Sequence, residues 1–110
     1  MGLRQDRLAD QIRDLVGECF QGGHLSDPRL QGVTITAVKL SSDLQIATVY
    51  FRIFDETPEK EVRQGLQGAS GFFRKRLAKA LDVRRVPELR YFYDESVERA
   101  SRIEDLLRDL

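Results

Sequence analysis

Histidine, cysteine and proline are scarce in this chain of 110 residues, which holds one histidine, one cysteine and three prolines. A single cysteine excludes an internal disulfide framework and suits a reducing compartment. His24 has no second histidine or cysteine cluster near it, so it reads as a loop residue rather than a metal ligand or general base. Net charge is missing too: 18 basic residues balance 18 acidic ones, so global electrostatics alone points to no nucleic-acid partner. No apolar run approaches the roughly 20 residues that cross a bilayer, and the N-terminus lacks the apolar core of a secretory signal. A cytosolic setting is the default expectation. There are no internal repeats, no Gly-x4-Gly-Lys-Ser/Thr nucleotide loop and no metal-ligand cluster. What remains, 41% hydrophobic and 33% charged, is the composition of one folded domain with one core, spanning residues 1–110.

The charge that is present is unevenly placed. From Arg74 to Arg90 seven basic residues face two acidic ones, and from Tyr91 to Leu110 three basic residues face six acidic ones. The molecule therefore has a basic pole, to which a phosphate backbone would be attracted, and an acidic one.

The basic pole begins within the stretch Val62 to Leu81. Val62, Leu66 and Ala69, then Phe73, Leu77 and Leu81, recur at helical spacing. Gly68-Ala69-Ser70-Gly71 lies between them. Glycine costs about 1 kcal/mol relative to alanine inside a helix, so the spacing predicts two helices meeting at a kink or break here. A helix start exposes unpartnered N–H groups and the positive end of the macrodipole. Arg74, Lys75, Arg76 and Lys79 follow, with Lys75, Arg76 and Lys79 sharing a face away from the Phe73 stripe. The competing reading is an ordinary solvated helix face.

Elsewhere the chain reads as follows. Arg4 to Phe20 forms a helix with Leu8, Ile12, Leu15, Val16, Cys19 and Phe20 on one face, ended by Gly22-Gly23. Cys19 is then a small core residue rather than a reactive thiol. Asp27-Pro28-Arg29 is a turn. Val33 to Val38 and Gln45 to Phe54 are strands, and the short Ser41-Ser42-Asp43 link makes them an antiparallel hairpin. Ala47, Val49, Phe51 and Ile53 form the face toward the helices. Thr48, Tyr50 and Arg52 form the other, half-buried face, where RNA bases are the alternative contact. Thr57 is the expected N-cap of the central helices, with Pro58 at the first helical position. Asp82-Val83-Arg84-Arg85 is a basic loop and Glu88 to Tyr93 a third strand. Asp94-Glu95-Ser96 supplies cap chemistry for a last helix carrying Val97, Ala100, Ile103, Leu107 and Leu110. The acidic clusters are explained as caps, and no assembled catalytic constellation accompanies them. A right-handed crossover places strand three parallel to strand two, giving sheet order one, two, three.

Several stretches together resemble the ribosome-binding factor A family. They are Asp27-Pro28-Arg29, Val33 to Thr36 with Val38, Ser42-Asp43-Leu44, Ala47 to Tyr50, Ala69-Ser70-Gly71, Arg85 to Leu89 and Asp94-Glu95-Ser96. The order of elements is similar to the type II KH fold: an α+β domain, helix-strand-strand-kinked helix pair-strand with a C-terminal helix. The resemblance implies a non-enzymatic, monomeric, cytoplasmic factor that takes no cofactor. It would bind the immature small ribosomal subunit and its precursor rRNA and assist late maturation and rRNA processing, including in the cold.

That family replaces the two-glycine KH loop by an Ala-x-Gly kink, which Ala69, Ser70 and Gly71 match. Gly68 to Gly71 also spells the ordinary loop, so both forms stay open. The expected RNA-binding residues are Ala69, Ser70, Gly71, Arg74, Lys75, Arg76 and Lys79, extended by Arg84 and Arg85. The alternative is a protein-interaction module, docked through the sheet or the acidic last helix, with a merely solvated basic pole. Neutral net charge favours the alternative.

Overall fold

The computed structural model describes residues 3–21, 23 and 25–110. The expectations for Gly22 and His24 lie outside the described residues. The elements are α1 (Leu3–Cys19), β1 (Val33–Leu40), β2 (Ile46–Ile53), α2 (Glu59–Ala80), β3 (Glu88–Tyr93) and α3 (Ser96–Arg108), with a short 3₁₀ turn at Pro28–Leu30. The sheet order is β1-β2-β3, with β1 and β2 antiparallel and β2 and β3 parallel. A bulge between Ile35 and Ala37 shifts the register of the hairpin.

Period-two alternation in β2 sends Ala47, Val49 and Phe51 into the core, all fully buried, beneath Ile12 and Val16 of α1 and Val62, Leu66, Phe73 and Leu77 of α2. One face of the sheet is thus covered by two helices. Cys19 is buried and donates from Sγ to the Leu15 carbonyl at 3.3 Å, and burial pushes its thiol up, as an inert core cysteine requires.

Two local expectations change. The central helix pair is one uninterrupted helix of 22 residues. Leu66 and Phe73 are buried on either side of the suspected break, and Ala69 packs on the same core. Burying such side chains contributes about 1.5–3 kcal/mol each, which outweighs two glycine penalties of about 1 kcal/mol. The N-cap of α2 is Pro58 rather than Thr57: the Pro58 carbonyl accepts the Val62 amide at 3.1 Å. The Thr57 amide instead donates to Asp55 Oδ1 at 3.0 Å. Before α3 the expected cap chemistry comes from Asp94, whose Oδ1 accepts the Ser96 amide at 2.9 Å, while the side chain of Glu95, in the N-cap position, caps nothing.

Gly65 has a packing reason. A Cβ there would lie 3.0 Å from Leu30 Cδ2 and 3.3 Å from Asp27 Oδ2, so glycine lets α2 approach the 3₁₀ turn without displacing those side chains.

Asp94 ties three elements together. Its Oδ2 accepts the Thr36 hydroxyl from β1, its backbone carbonyl accepts Arg52 Nη1 from β2 at 2.9 Å, and Arg52 also reaches Glu98 of α3 at 3.0 Å. The Thr36 bond first, then the Ser96 amide and hydroxyl, lower the Asp94 carboxyl from 3.8 to about 2. A depressed carboxyl contributes stability that is complete above its unfolded value and lost as pH falls from about 4 toward 2. Asp94→Asn is therefore expected to lose less stability between those limits than the parent chain does. Urea unfolding at a series of acid pH values, followed by circular dichroism, measures both slopes, and parallel slopes would remove this account.

Candidate nucleic-acid interface

Helix α2 buries one stripe and offers its opposite face to solvent. Gly68, Phe72, Lys75 and Lys79 succeed one another at intervals of four, three and four residues, and Gly71 lies four before Lys75, so they stack along that outer face. Phe72 is 42% exposed, beside the fully buried Phe73. Phe72, Lys75, Arg76 and Lys79 line a groove of about 600 Å³ with Glu18, Cys19 and Gln21 at the end of α1.

The glycines of this face differ from Gly65. A Cβ at Gly68 or Gly71 would meet nothing within 4 Å. Neither glycine is required by the packing of the chain. Alanine at both sites is expected to raise stability by about 1 kcal/mol per site, through helix propensity and a less flexible unfolded chain. Urea unfolding measures this, and a destabilised double variant would show that the open space is used by the fold.

Ala69 and Ser70 point the other way. Ala69 packs against the core, and the Ser70 hydroxyl donates to the Leu66 carbonyl at 3.2 Å while meeting the Tyr91 hydroxyl at 2.6 Å. Burial pushes the Tyr91 phenol up, offset in part by that bond. Of the Ala69-Ser70-Gly71 pattern only Gly71 stands on the outer face. The unbroken helix also keeps its amides in the helical ladder, so they are not free to cradle a phosphate.

The expected basic residues divide into two groups. Lys75, Arg76 and Lys79 share the groove beside α1. Arg74, on the other flank of α2, joins Arg84 and Arg85 of the basic loop and Arg4 of α1 around a second cleft of about 690 Å³. Sequence spacing had grouped the first three, but Arg4 and Phe72 were missed. Phe72 carried a usable signal, being an aromatic residue off the apolar stripe. Arg4 carried none, because only the fold brings the start of α1 beside the end of α2.

Unpaired cations are concentrated on this surface, whereas most arginines around the sheet are paired. On and around the open face of the sheet, Arg52 pairs with Glu98, Arg63 with Glu59, Arg90 with Glu88 and Arg99 with Glu95. Tyr50 and the 46% exposed Phe92 lie side by side there at 6.4 Å, with the Lys39 ammonium 5.8 Å from the Tyr50 ring. Of the expected RNA-binding cations, only Arg76 has a carboxylate partner among the described residues, Glu18 at 3.5 Å. Arg4, Arg74, Lys75, Lys79, Arg84 and Arg85 have none within 4.0 Å among them. A cluster of unpaired cations along one helix and its following loop is the electrostatic arrangement that suits phosphate.

The second cleft has an unusual wall. Leu44 in the β1–β2 hairpin has φ of 63°, in the left-handed region. For leucine this costs on the order of 1–2 kcal/mol. Hydrogen bonds hold it there: the Leu44 amide donates to the Ser41 carbonyl at 2.9 Å, and the Gln45 amide donates to Asp43 Oδ1 at 3.1 Å. The Ser41 hydroxyl and the Gln45 amide lower the Asp43 carboxyl. Among the described residues no helix is long and apolar enough to cross a membrane, and no group of three or more His, Cys, Asp or Glu side chains could hold a metal ion.

Residues 4–107 match the family described as Ribosome-binding factor A. A protein of that name from Geotalea daltonii is 42% identical over 108 residues, covering 97% of this chain and 87% of the relative. The crystal structure of ribosome-binding factor A from Thermus thermophilus is similar with a TM-score of 0.75 and 30% identity, over 84% of this chain and 97% of that one. A Thermus thermophilus homology model fitted into the cryo-EM map of a 30S complex with ribosome-binding factor A is similar with a TM-score of 0.67 and 30% identity, over 83% and 96% of the two chains.

Proposed function

Because the chain belongs to the ribosome-binding factor A family, we propose that it is a non-enzymatic assembly factor that grips the small ribosomal subunit through RNA. In this reading it acts as a cytoplasmic monomer on immature subunits. It contacts their precursor rRNA along the outer face of α2 and assists late maturation and rRNA processing, including in the cold. The observation that carries the reading is the cluster of six cations unpaired among the described residues, Arg4, Arg74, Lys75, Lys79, Arg84 and Arg85, on α2, the loop after it and the start of α1. The fit of the Thermus thermophilus relative into a 30S complex supports the same partner. Gly68 and Gly71 support it further, since glycines without an internal packing role let a sugar-phosphate backbone come close.

Co-sedimentation of the purified protein with immature and mature small subunits at two salt concentrations tests this. Preferential association with immature particles that weakens with salt is the expected result. Equal association with both kinds of particle would remove the assembly role, and salt-insensitive association would remove the phosphate contacts.

One observation favours a second reading, a protein-docking module. Val97, Ile103, Leu106 and Leu107 of α3, with Leu110 beyond it, are all more than half exposed, so this helix displays its apolar stripe to solvent. Capture on the subunit that survives nuclease treatment would favour that reading.

A further inference from the structure

The cleft between α2, the basic loop and the β1–β2 hairpin combines two chemistries that the groove beside α1 does not. Its rim carries Arg4, Arg74, Arg84 and Arg85, none of which is paired within 4.0 Å among the described residues. Its walls carry Leu44, Val83 and Val86, which also pack on the core and are therefore firmly placed. At about 690 Å³ it falls within the range of small-ligand sites. Two of its three carboxylates are already engaged: Asp43 in the hairpin turn and Glu88 with Arg90, leaving Asp82. Leu44 is held in a backbone conformation that leucine disfavours, which turns a bulky apolar side chain toward this space where glycine or asparagine would make the easier turn.

We propose that this cleft takes one unstacked nucleotide of a single-stranded RNA, its base against Leu44, Val83 and Val86 and its flanking phosphates on the arginine rim. Apolar walls suit a base face, and planar guanidinium groups suit phosphate oxygens or a stacked base. An RNA helix presents no such base, so the cleft selects an unpaired segment while the outer face of α2 meets backbone. The proposal rests on the RNA-binding reading above and assigns part of that surface to base capture.

The probe is a single-stranded adenosine hexamer, followed by amide chemical shifts and fluorescence anisotropy. Shifts are expected at Leu44, Gln45 and Val83 to Val86. Leu44→Asn keeps a residue that tolerates the left-handed turn but removes the apolar wall, and is expected to weaken hexamer binding about fivefold or more, with relieved backbone strain offsetting part of the packing lost on the core. Arg84→Glu with Arg85→Glu, at exposed positions, is the second variant and is expected to weaken it at least as much. Shifts confined to residues 68–79, no hexamer binding, or full affinity in both variants would overturn the proposal. So would adenosine monophosphate binding as tightly as the hexamer, since the cleft would then hold a free nucleotide. Co-sedimentation of the wild-type protein separates the two ideas: salt-sensitive subunit binding with no response at the cleft removes only the base site, whereas a cleft response without subunit binding removes only the assembly reading.

Discussion

Reversing Lys75 and Lys79 to glutamate together lowers affinity for small ribosomal subunits by roughly tenfold or more at near-physiological salt, if the outer face of α2 grips RNA backbone. Each lysine that neutralises a phosphate displaces a counterion, and losing two such contacts flattens the slope of log affinity against log salt by about 1.4–1.8. The added carboxylates repel the phosphates as well. Both side chains are exposed, and neither has an ion-pair partner within 4.0 Å among the described residues. The fold is therefore expected to change by no more than about 0.5 kcal/mol. Co-sedimentation across a salt series, with thermal melts of the same preparations, measures both quantities. An unchanged slope would take this face out of the interface, and an unfolded variant would show that the charges serve the fold.

Phe73→Ala is expected to have the largest effect on stability. The ring is fully buried where α1, α2 and β3 meet, with ring centroids 5.7 Å from Phe20 and 6.5 Å from Tyr91. Truncation removes the transfer energy of the ring and leaves a cavity, together about 3–5 kcal/mol. Against a typical stability of about 5–15 kcal/mol for a domain, this lowers the melting temperature on the order of 15 °C. Phe72→Ala, one residue away and 42% exposed, should cost far less stability while weakening the groove with Lys75 and Lys79. Differential scanning calorimetry of the two variants checks the contrast. Equal losses would contradict the assignment of Phe73 to the core and Phe72 to the surface.

The two phenylalanines show what the sequence could and could not say. Phe73 was legible because its neighbours Leu66, Leu77 and Leu81 fall on its stripe at helical spacing. Phe72 lies off that stripe, so periodicity marks it as an aromatic residue outside the core face without saying what it serves. The break expected at Gly68 to Gly71 failed for a related reason: propensity is a local quantity, and the burial of Leu66 and Phe73 on both sides outweighs it. Ser70 looked like part of a phosphate loop, yet its hydroxyl is spent inside, on Leu66 and Tyr91.

The sequence by itself determined the α+β architecture, the sheet order and the site of the basic pole. These depend on hydrophobic period, short connections and the handedness of crossovers, all of which act between near neighbours along the chain. Only the tertiary structure decided which cations act together. Arg74 separates from Lys75 because successive helical residues point about 100° apart. It then joins Arg4, Arg84, Arg85 and the strained Leu44 because the fold carries the start of α1, the hairpin and the end of α2 to one cleft. Tertiary structure also decided which charges are free, since Arg52 and Glu98 meet across elements at a distance that no sequence spacing records.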